Sequence, residues 1–141
     1  MSYLVDTNVI SELRRTEPDP GVVAWFSDRP ATTLHLSVLT LGEIRKGIES
    51  LPNGKKRLVL RDWLEIELPA FFAGRILLID APVVDRWGRL LARVKRSVPA
   101  LDSLIAATAL HHGFSLVTRN EADFKFPELD VINPWQRHVP A

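Results

Sequence analysis

The chain has 141 residues, of which 46% are apolar and 25% charged, and its formal net charge is +1. This composition is ordinary for one globular domain, which we expect to span residues 1–141, and it excludes intrinsic disorder. The absence of cysteine excludes disulfide scaffolds, thiolate zinc sites and cysteine nucleophiles. Asp6 interrupts the first apolar run, and no stretch approaches the ~20 apolar residues of a membrane helix. We therefore expect a cytoplasmic protein without a signal peptide or a membrane span.

Predicted strands and helices alternate along the chain. The apolar or alternating runs 3–5, 33–37, 76–79, 115–118 and 130–132 predict strands, and the run 76–79 is expected to be buried. Helical patterns cover about 7–15, 21–28, 39–51, 55–68, 82–97 and 101–112, with Pro69 expected to end the fourth and Gly113 to close the last. This alternation predicts an α/β fold with a mainly parallel five-stranded sheet flanked by helices.

The first candidate site residue is Asp6, which ends the first predicted strand and opens a helix. Ligands of parallel α/β sheets bind at the carboxyl ends of strands. Aspartate is also a preferred helix cap, and for Asp6 considered alone the cap is the favoured interpretation.

Two further carboxylates lie in predicted helices. Glu43 falls on the border of the apolar face of its helix, and Gly42 and Gly47 flank it. Glycine inside a helix costs about 1 kcal/mol relative to alanine, so these positions indicate close packing or room for a ligand. Asp102 begins a helix composed almost wholly of apolar or small residues. A solvated glutamate and a capping aspartate are the competing interpretations.

A fourth carboxylate, Asp123, follows the fourth predicted strand at the edge of the sheet where Asp6 lies, and Asn120 precedes it closely enough to share or replace its role. A surface-loop aspartate is the alternative. Together, such acidic groups repel one another unless protons or a cation compensate them. Mg²⁺ and Mn²⁺ prefer oxygen ligands, and they orient phosphodiesters and activate water. The pattern therefore predicts a divalent-metal site.

Four ordered segments resemble the motifs of PIN-domain proteins, specifically the VapC/FitB branch. They read LVDTNVIS at 4–11, LGEIRKGI at 41–48, DSLIAATA at 102–109, and LVTRN at 116–120 with Asp123 and Phe124 after it. The ending VINPW at 131–135 is also similar to this branch. The resemblance covers nearly the whole chain and implies a Rossmann-like PIN fold.

The resemblance also implies a function. It predicts a Mg²⁺- or Mn²⁺-dependent endoribonuclease, the toxin of a type II toxin–antitoxin pair, inhibited by a cognate VapB/FitA-like antitoxin that occupies the active-site groove. A homodimer is expected, with operator DNA bound only through the antitoxin complex. The RNA target and the antitoxin's identity stay open.

The same resemblance assigns roles to individual residues. Asp6, Glu43, Asp102 and Asp123 are expected to be catalytic and to bind the metal, with Asn120 as a further metal ligand. Some relatives carry an acid in place of Asn120, so the fourth position is open between Asn120 and Asp123. The residues expected to orient the carboxylates are Thr7, Asn8 and Thr118.

Four arginines share one face of the predicted helix 82–97, namely Arg86, Arg89, Arg93 and Arg96. Because stacked cations repel one another, we expect this face to contact RNA or the antitoxin. A solvated surface face is an equally weighted alternative. The four tryptophans are more typical of core or interface anchors than of RNA-stacking residues.

Rival functions are less well supported. A haloacid-dehalogenase-like phosphatase needs a second acid two residues after Asp6, where Asn8 stands, and P-loop, HExxH and GxSxG motifs are absent. A receiver domain needs paired N-terminal acids and a late strand-end lysine, neither of which is evident. A non-catalytic PIN-like module that binds nucleic acid or a partner remains the alternative from another class.

Overall fold

Five parallel strands form the centre of the molecule. A computed structural model describes residues 1–136, so positions 137–141 of the predicted domain lie outside the described residues. The strands are β1 (Tyr3–Val5), β2 (Leu34–Ser37), β3 (Ile76–Leu77), β4 (Ser115–Val117) and β5 (Val131–Ile132). They lie in the order β3-β2-β1-β4-β5, and each neighbouring pair is parallel. The predicted five-stranded α/β fold is confirmed, and the sheet is parallel throughout.

Helices connect the strands. They are α1 (Thr7–Leu13), α2 (Pro20–Ser27), α3 (Val38–Glu49), α4 (Lys55–Asp62), α5 (Leu68–Phe71), α6 (Ala81–Arg93) and α7 (Ala100–His112). A π-helical segment, Trp63–Glu67, joins α4 to α5, and short 3₁₀ turns occur at Ala31–Thr33, Glu121–Phe124 and Pro134–Gln136. Within residues 1–136, no helix has the length and apolar character needed to cross a membrane.

The core lies on both faces of the sheet because neighbouring strand residues point to opposite sides. Val5 and Val117 pack among α1, α2, α3 and the continuous helical segment of residues 55–71, whereas Leu4 and Leu116 pack beneath α6 and α7. These helices cover the sheet on both faces, and the carboxyl ends of its strands lie in the gap between them.

The prediction of a buried strand at 76–79 was wrong in extent and burial. β3 covers only Ile76–Leu77 and pairs with β2 at the edge of the sheet, and Leu78 is 61% exposed. The chain leaves the sheet after Leu77 because Asp80 caps α6, its Oδ1 accepting a hydrogen bond from the Val83 N–H at 3.2 Å. An apolar run alone does not distinguish an edge strand from an inner one.

Pro69 does not end the helical segment that begins at Lys55, contrary to the prediction. The N–H of Leu68 donates to the Trp63 carbonyl, which is the bond of a π turn. In a regular α-helix the ring of Pro69 would clash with the carbonyl of Glu65. The segment is π-helical at this point, and the buried side chains of Leu64 and Leu68 pack it against the core.

Four helices, α1, α2, α3 and α6, end earlier than predicted, and the structure gives a reason for two of them. α1 ends at Leu13 rather than Arg15, where the buried carboxylate of Glu12 accepts the Asp19 N–H at 2.8 Å and draws the following loop back. α6 ends at Arg93 rather than Ser97, because Val94 takes an extended conformation and packs against the second core cluster. Arg96 therefore lies beyond the helix.

Candidate active site

The candidate site lies at the switch point of the sheet. The chain passes from β1 to β2 on one side and later returns to β4 on the other side of β1. Crevices of parallel α/β sheets open at this point, beyond the carboxyl ends of the strands. Asp6 follows β1 and Thr118 follows β4, so both side chains lie at the crevice.

Asp6 caps α1 and also makes longer-range contacts. Its Oδ1 accepts the N–H of Thr7 at 2.8 Å, while its Oδ2 accepts the Thr118 hydroxyl at 2.8 Å and the Asn8 amide at 3.4 Å. Burial raises the pKa of Asp6, the hydrogen bonds from Thr118 and Thr7 oppose this rise, and the charges of Glu43 and Asp102 add to it. A cap alone does not account for these interactions.

Thr118 organises the polar groups around Asp6. Its side chain is fully buried, and besides donating to Asp6 it accepts the Asn8 amide and the Asn120 N–H, both at 3.1 Å. A hydroxyl offers one donor and two acceptor sites, so every site of Thr118 is used. Thr118 and Asn8 thus lie against the Asp6 carboxylate, and their orienting role stays a prediction.

Glu43, on α3, is held by Thr7 at the start of α1. The Thr7 hydroxyl donates to Glu43 Oε1 at 2.6 Å, and it is also hydrogen-bonded to the buried Thr40 hydroxyl at 3.0 Å. Glu43 is therefore fixed at the crevice and is not a freely solvated helix residue. Thr7 has the predicted orienting position, whereas Thr40 was missed because a buried helical threonine has no distinguishing sequence signal.

Asp102 faces the same crevice from α7. It lies in the first turn of this helix, whose N-cap position is Pro99, so a capping role for Asp102 does not apply. The positive end of the helix dipole is close to its carboxylate. Burial raises the pKa of Asp102, and the charges of Asp123 and Glu43 raise it further. The acids thus act on one another electrostatically.

The two candidates for the fourth position differ in placement. Asn120 lines a pocket of about 470 Å³ together with Asp6, Glu43 and Asp102. Asp123 is exposed in a 3₁₀ turn and does not line this pocket, which we call the acidic pocket. It is nevertheless near enough to raise the pKa of Asp102. Its backbone N–H donates to the Asn120 carbonyl at 3.0 Å. The geometry favours Asn120 as the residue on the wall of the acidic pocket.

The acidic pocket contains residues that sequence reasoning missed. Glu12, Ser11, Arg15 and Leu101 also line it. Glu12 is only 6% exposed, and the Asp19 N–H and the Arg15 guanidinium donate to its carboxylate. These contacts satisfy Glu12 within the protein, so it adds negative charge at the pocket without being free of partners.

The donor chemistry of the acidic pocket suits a hard divalent cation. Asp6, Glu43, Asp102 and Asn120 present oxygen atoms, which Mg²⁺ and Mn²⁺ prefer. Burial is the main cause that raises the pKa values of Asp6 and Asp102, and the charges of the neighbouring acids raise them further, a repulsion that a cation would relieve. Within residues 1–136, no three acidic or histidine side chains approach closely enough to form a ready-made metal cluster. The carboxylates lie around the wall of the pocket and do not meet at one point.

The arginine face differs from the prediction of stacked, unpaired cations. Arg86 and Arg93 both lie near Glu128, at 3.9 and 3.5 Å, and Arg89 pairs with Asp85 at 2.9 Å. Arg96, beyond the end of α6, donates instead to the Lys125 carbonyl at 2.8 Å. The mutual repulsion invoked for this face is thus partly neutralised within the chain, and contact with RNA or an antitoxin stays a prediction.

Comparisons with known proteins match the chain over nearly its whole length. A family model described as the PIN domain matches residues 3–130. The VapC ribonuclease Y4jK of Sinorhizobium fredii is 41% identical over 94% of this chain and 97% of its own length. Toxin FitB of Neisseria gonorrhoeae is 40% identical over 94% and 97%. A solved structure of FitAB bound to a DNA fragment is similar with a TM-score of 0.88 and 37% identity, over 97% of this chain and 98% of that one.

The fold and the crevice define a class of protein, namely parallel α/β proteins whose acidic site lies at the switch point of the sheet. Asp6, Glu43, Asp102 and Asn120 line that site, and each comes from one of the four segments that resemble PIN-domain motifs. With the family match over 3–130 and relatives at 41% and 40% identity, the chain belongs to the PIN-domain family, in the branch of the VapC and FitB toxins.

Proposed function

We propose that this protein is the toxin of a type II toxin–antitoxin pair and acts as a metal-dependent endoribonuclease. The observation that carries the proposal is the convergence of Asp6, Glu43 and Asp102, from three separate elements, on one crevice. The relatives named as a VapC ribonuclease and as toxin FitB support the reaction and the biological role.

Asp6, Glu43 and Asp102 would hold the cation, with Asn120 or Asp123 as the fourth oxygen donor. A bound Mg²⁺ or Mn²⁺ would supply a Lewis acid for the phosphodiester and would lower the pKa of the attacking water. Hydrolysis of the bond consumes that water and leaves a phosphate monoester and a hydroxyl on the two RNA fragments.

The chain's own residues prepare the carboxylates for this task. The Thr118 hydroxyl fixes Asp6 Oδ2, and the Thr7 hydroxyl fixes Glu43 Oε1, so both acids have defined orientations before any ligand binds. Hydrogen bonds of this kind to metal-binding side chains are expected to raise metal affinity. The repulsion among the acids gives the crevice a preference for cations over other ligands.

The partners follow from the same proposal. The antitoxin would be a VapB/FitA-like protein that occupies the active-site groove and inhibits cleavage, and the toxin would act as a homodimer in the cytoplasm. Binding of operator DNA would require the antitoxin complex, in keeping with the solved FitAB–DNA structure of a relative. The arginine face, which carries Arg86, Arg89 and Arg93, is a candidate contact for RNA or for the antitoxin.

The central test is RNA cleavage by the purified chain without its antitoxin. We expect cleavage in Mg²⁺ or Mn²⁺ and none in excess EDTA, with activity restored when the metal is returned. Undiminished cleavage in EDTA would refute the metal mechanism. A non-catalytic PIN-like module would neither cleave RNA nor take up metal in a calorimetric titration, and that pair of results would favour the alternative.

A further inference from the structure

The turn that carries Asn120 lies beside the end of the neighbouring strand. β4 and β5 end together, since the Thr118 N–H donates to the Ile132 carbonyl at 2.9 Å just after the last paired residues. The chain therefore leaves the two strands at the same level, and Asn133 lies next to the turn 119–121. The backbone angles of Asn120, φ −93° and ψ 61°, are those of neither a helix nor a strand. The place of its side chain at the acidic pocket thus depends on the bonds made around this turn.

The side-chain amide of Asn133 holds this turn on both sides of Asn120. Its Nδ2 donates to the Glu121 carboxylate at 3.1 Å and to the Arg119 carbonyl at 3.4 Å, so the residues before and after Asn120 bind one side chain. Its Oδ1 accepts the N–H of Trp135 at 2.9 Å. These partners fix the orientation of the amide, because a flipped amide would place its oxygen against two other oxygens.

Trp135 connects this amide to the core. Its ring is partly buried and packs against the core on the Val5 face of the sheet, and the Arg119 guanidinium lies 5.1 Å from the centroid of the ring. The preceding residue, Pro134, is buried. Asn133 is therefore attached to the packed interior through the residues that follow it, and it can hold the exposed turn in one place.

The turn is also fixed from the side of β1. Asn8 Oδ1 accepts the Arg119 N–H at 3.3 Å, and the Thr118 hydroxyl accepts the Asn120 N–H at 3.1 Å. Asn8 and Thr118 are the side chains that donate to the Asp6 carboxylate, so these bonds connect the turn to the first acid of the site. The amide described above supplies the corresponding connection from the side of β5.

We propose that Asn133 is a positioning residue of the acidic site and fixes the fourth oxygen donor, Asn120, through the turn 119–121. Asn133 does not line the acidic pocket, and in this assignment it touches neither metal nor RNA. Its amide keeps the Asn120 side chain at the wall of the pocket before a cation binds, as the partners of metal-binding side chains do in general. The inference rests on the proposed ribonuclease function and deepens it by adding a residue on which metal binding depends. It also gives a role to the segment VINPW at 131–135, whose resemblance to the VapC/FitB branch predicted no function of its own.

The test begins with Asn133→Asp. This substitution removes both amide donors, keeps the oxygen that accepts the Trp135 N–H, and puts a carboxylate oxygen where the amide nitrogen lies, 3.1 Å from Glu121 Oε2. Like charges at this distance repel, so the turn should move away from β5. Adding Glu121→Gln restores a hydrogen bond of reversed direction, in which the glutamine amide donates to the new carboxylate. Asn133→Ser removes the amide without adding a charge. The matched control is Asn53→Ala, which removes an exposed asparagine amide that bonds to Arg57 in the loop before α4.

The first measurement follows the turn without metal or RNA. Amide hydrogen exchange, read by NMR, reports how firmly the backbone at 119–121 is held. The Asn120 N–H should exchange faster in Asn133→Asp and in Asn133→Ser than in the wild type, and the double variant with Glu121→Gln should return toward the wild-type rate. Asn53→Ala should exchange at the wild-type rate. A melting curve of each variant separates a local effect from a loss of global stability.

The second measurement is the affinity for Mn²⁺, obtained by calorimetric titration. We expect Asn133→Asp to weaken it about tenfold, which is the lower end of the loss that follows removal of a partner of a metal ligand. In a chain that already carries Asn120→Ala, the same change should cause little further loss, because a residue that acts through Asn120 then has nothing left to position. RNA cleavage should follow the same pattern in kcat, with KM nearly unchanged.

Equal losses of affinity in the two backgrounds would overturn the proposal, since residues that act independently have additive effects on the binding free energy. So would a wild-type affinity in an Asn133 variant whose Asn120 N–H exchanges faster. A loss of affinity that disappears in the background of Asp123→Asn instead of Asn120→Ala would do the same, because the amide would then act through Asp123. A wild-type chain that binds Mn²⁺ and shows the expected coupling but cleaves no RNA would refute the ribonuclease function and leave the positioning role of Asn133 standing.

Discussion

The Thr118→Val substitution removes one hydroxyl from the centre of the candidate site and leaves the shape of the side chain nearly unchanged. Thr118 is fully buried, and its hydroxyl makes three hydrogen bonds, one of them to the Asp6 carboxylate. A hydrogen bond to a charged group contributes about 1.5–3 kcal/mol, and a neutral one about 0.5–1.5 kcal/mol. Water can replace Thr118 as the partner of Asn120, which is exposed. We therefore expect the free energy of unfolding to fall by about 2–4.5 kcal/mol, from the bonds to Asp6 and Asn8.

The functional effect of Thr118→Val should exceed its effect on stability. Without this donor the pKa of Asp6 rises further above its usual value, because burial and the neighbouring acids are no longer opposed by the hydroxyl. The acidic limb of the pH–activity profile should move to higher pH. Loss of a group that orients a metal ligand typically costs about 10–100-fold in metal affinity or activity.

The protein supplies a matched control in Thr108→Val. Thr108 is equally buried, but its hydroxyl donates only to the Leu104 carbonyl one turn earlier in α7. The control should lose little stability and no activity. Chemical denaturation gives the unfolding free energies, and RNA cleavage at several pH values gives the profile. If Thr118→Val cleaves RNA with the wild-type pH profile, Thr118 does not orient a catalytic carboxylate, and the assignment of Asp6 fails with it.

Three further experiments test other parts of the protein. Asp6→Asn should abolish cleavage. The free energy of unfolding of this variant should fall less between acidic and neutral pH than that of the wild type, because a carboxyl whose pKa is raised in the folded state destabilises that state as it ionises. A denaturation series in which the variant parallels the wild type would contradict this. Asn120→Ala should reduce cleavage more than Asp123→Asn, and the reverse order would assign the fourth position to Asp123. Replacing Arg89 and Arg93 with alanine should flatten the salt dependence of RNA binding or weaken antitoxin binding, and no change in either would mean a solvated face.

The placement of the acids could be predicted because it depends on local signals and one topological rule. Asp6 follows a short apolar strand and begins a helix, and both features can be recognised within a few residues. Strand–helix alternation then predicts a parallel sheet, whose carboxyl ends meet at one edge. Glu43 and Asp102 were singled out from weaker signals, the border of an apolar helix face and the start of an apolar helix, and the family resemblance then gave them their predicted roles.

Other features depend on residues that arrive from distant parts of the chain. Glu128, in a later loop, neutralises Arg86 and Arg93, and helix periodicity contains no information about it. Glu12 is buried because a loop returns the Asp19 N–H to it. The contact between the Arg14 guanidinium and the Trp63 ring was not recognised in the sequence because α2, β2, α3 and α4 separate the two residues along the chain, and they become neighbours only in the fold.

The competing interpretations of Asp6, as helix cap and as metal ligand, are compatible once its oxygens are counted. A carboxylate has about four acceptor positions. The Thr7 N–H uses one on Oδ1, and Thr118 and Asn8 use two on Oδ2, the Asn8 contact being the longer at 3.4 Å. At least one position therefore remains among the bonds described. The cap fixes the carboxylate at the end of β1 and leaves it able to bind a cation, so capping ability and cleavage should separate in Asp6→Asn, since asparagine caps a helix about as well as aspartate.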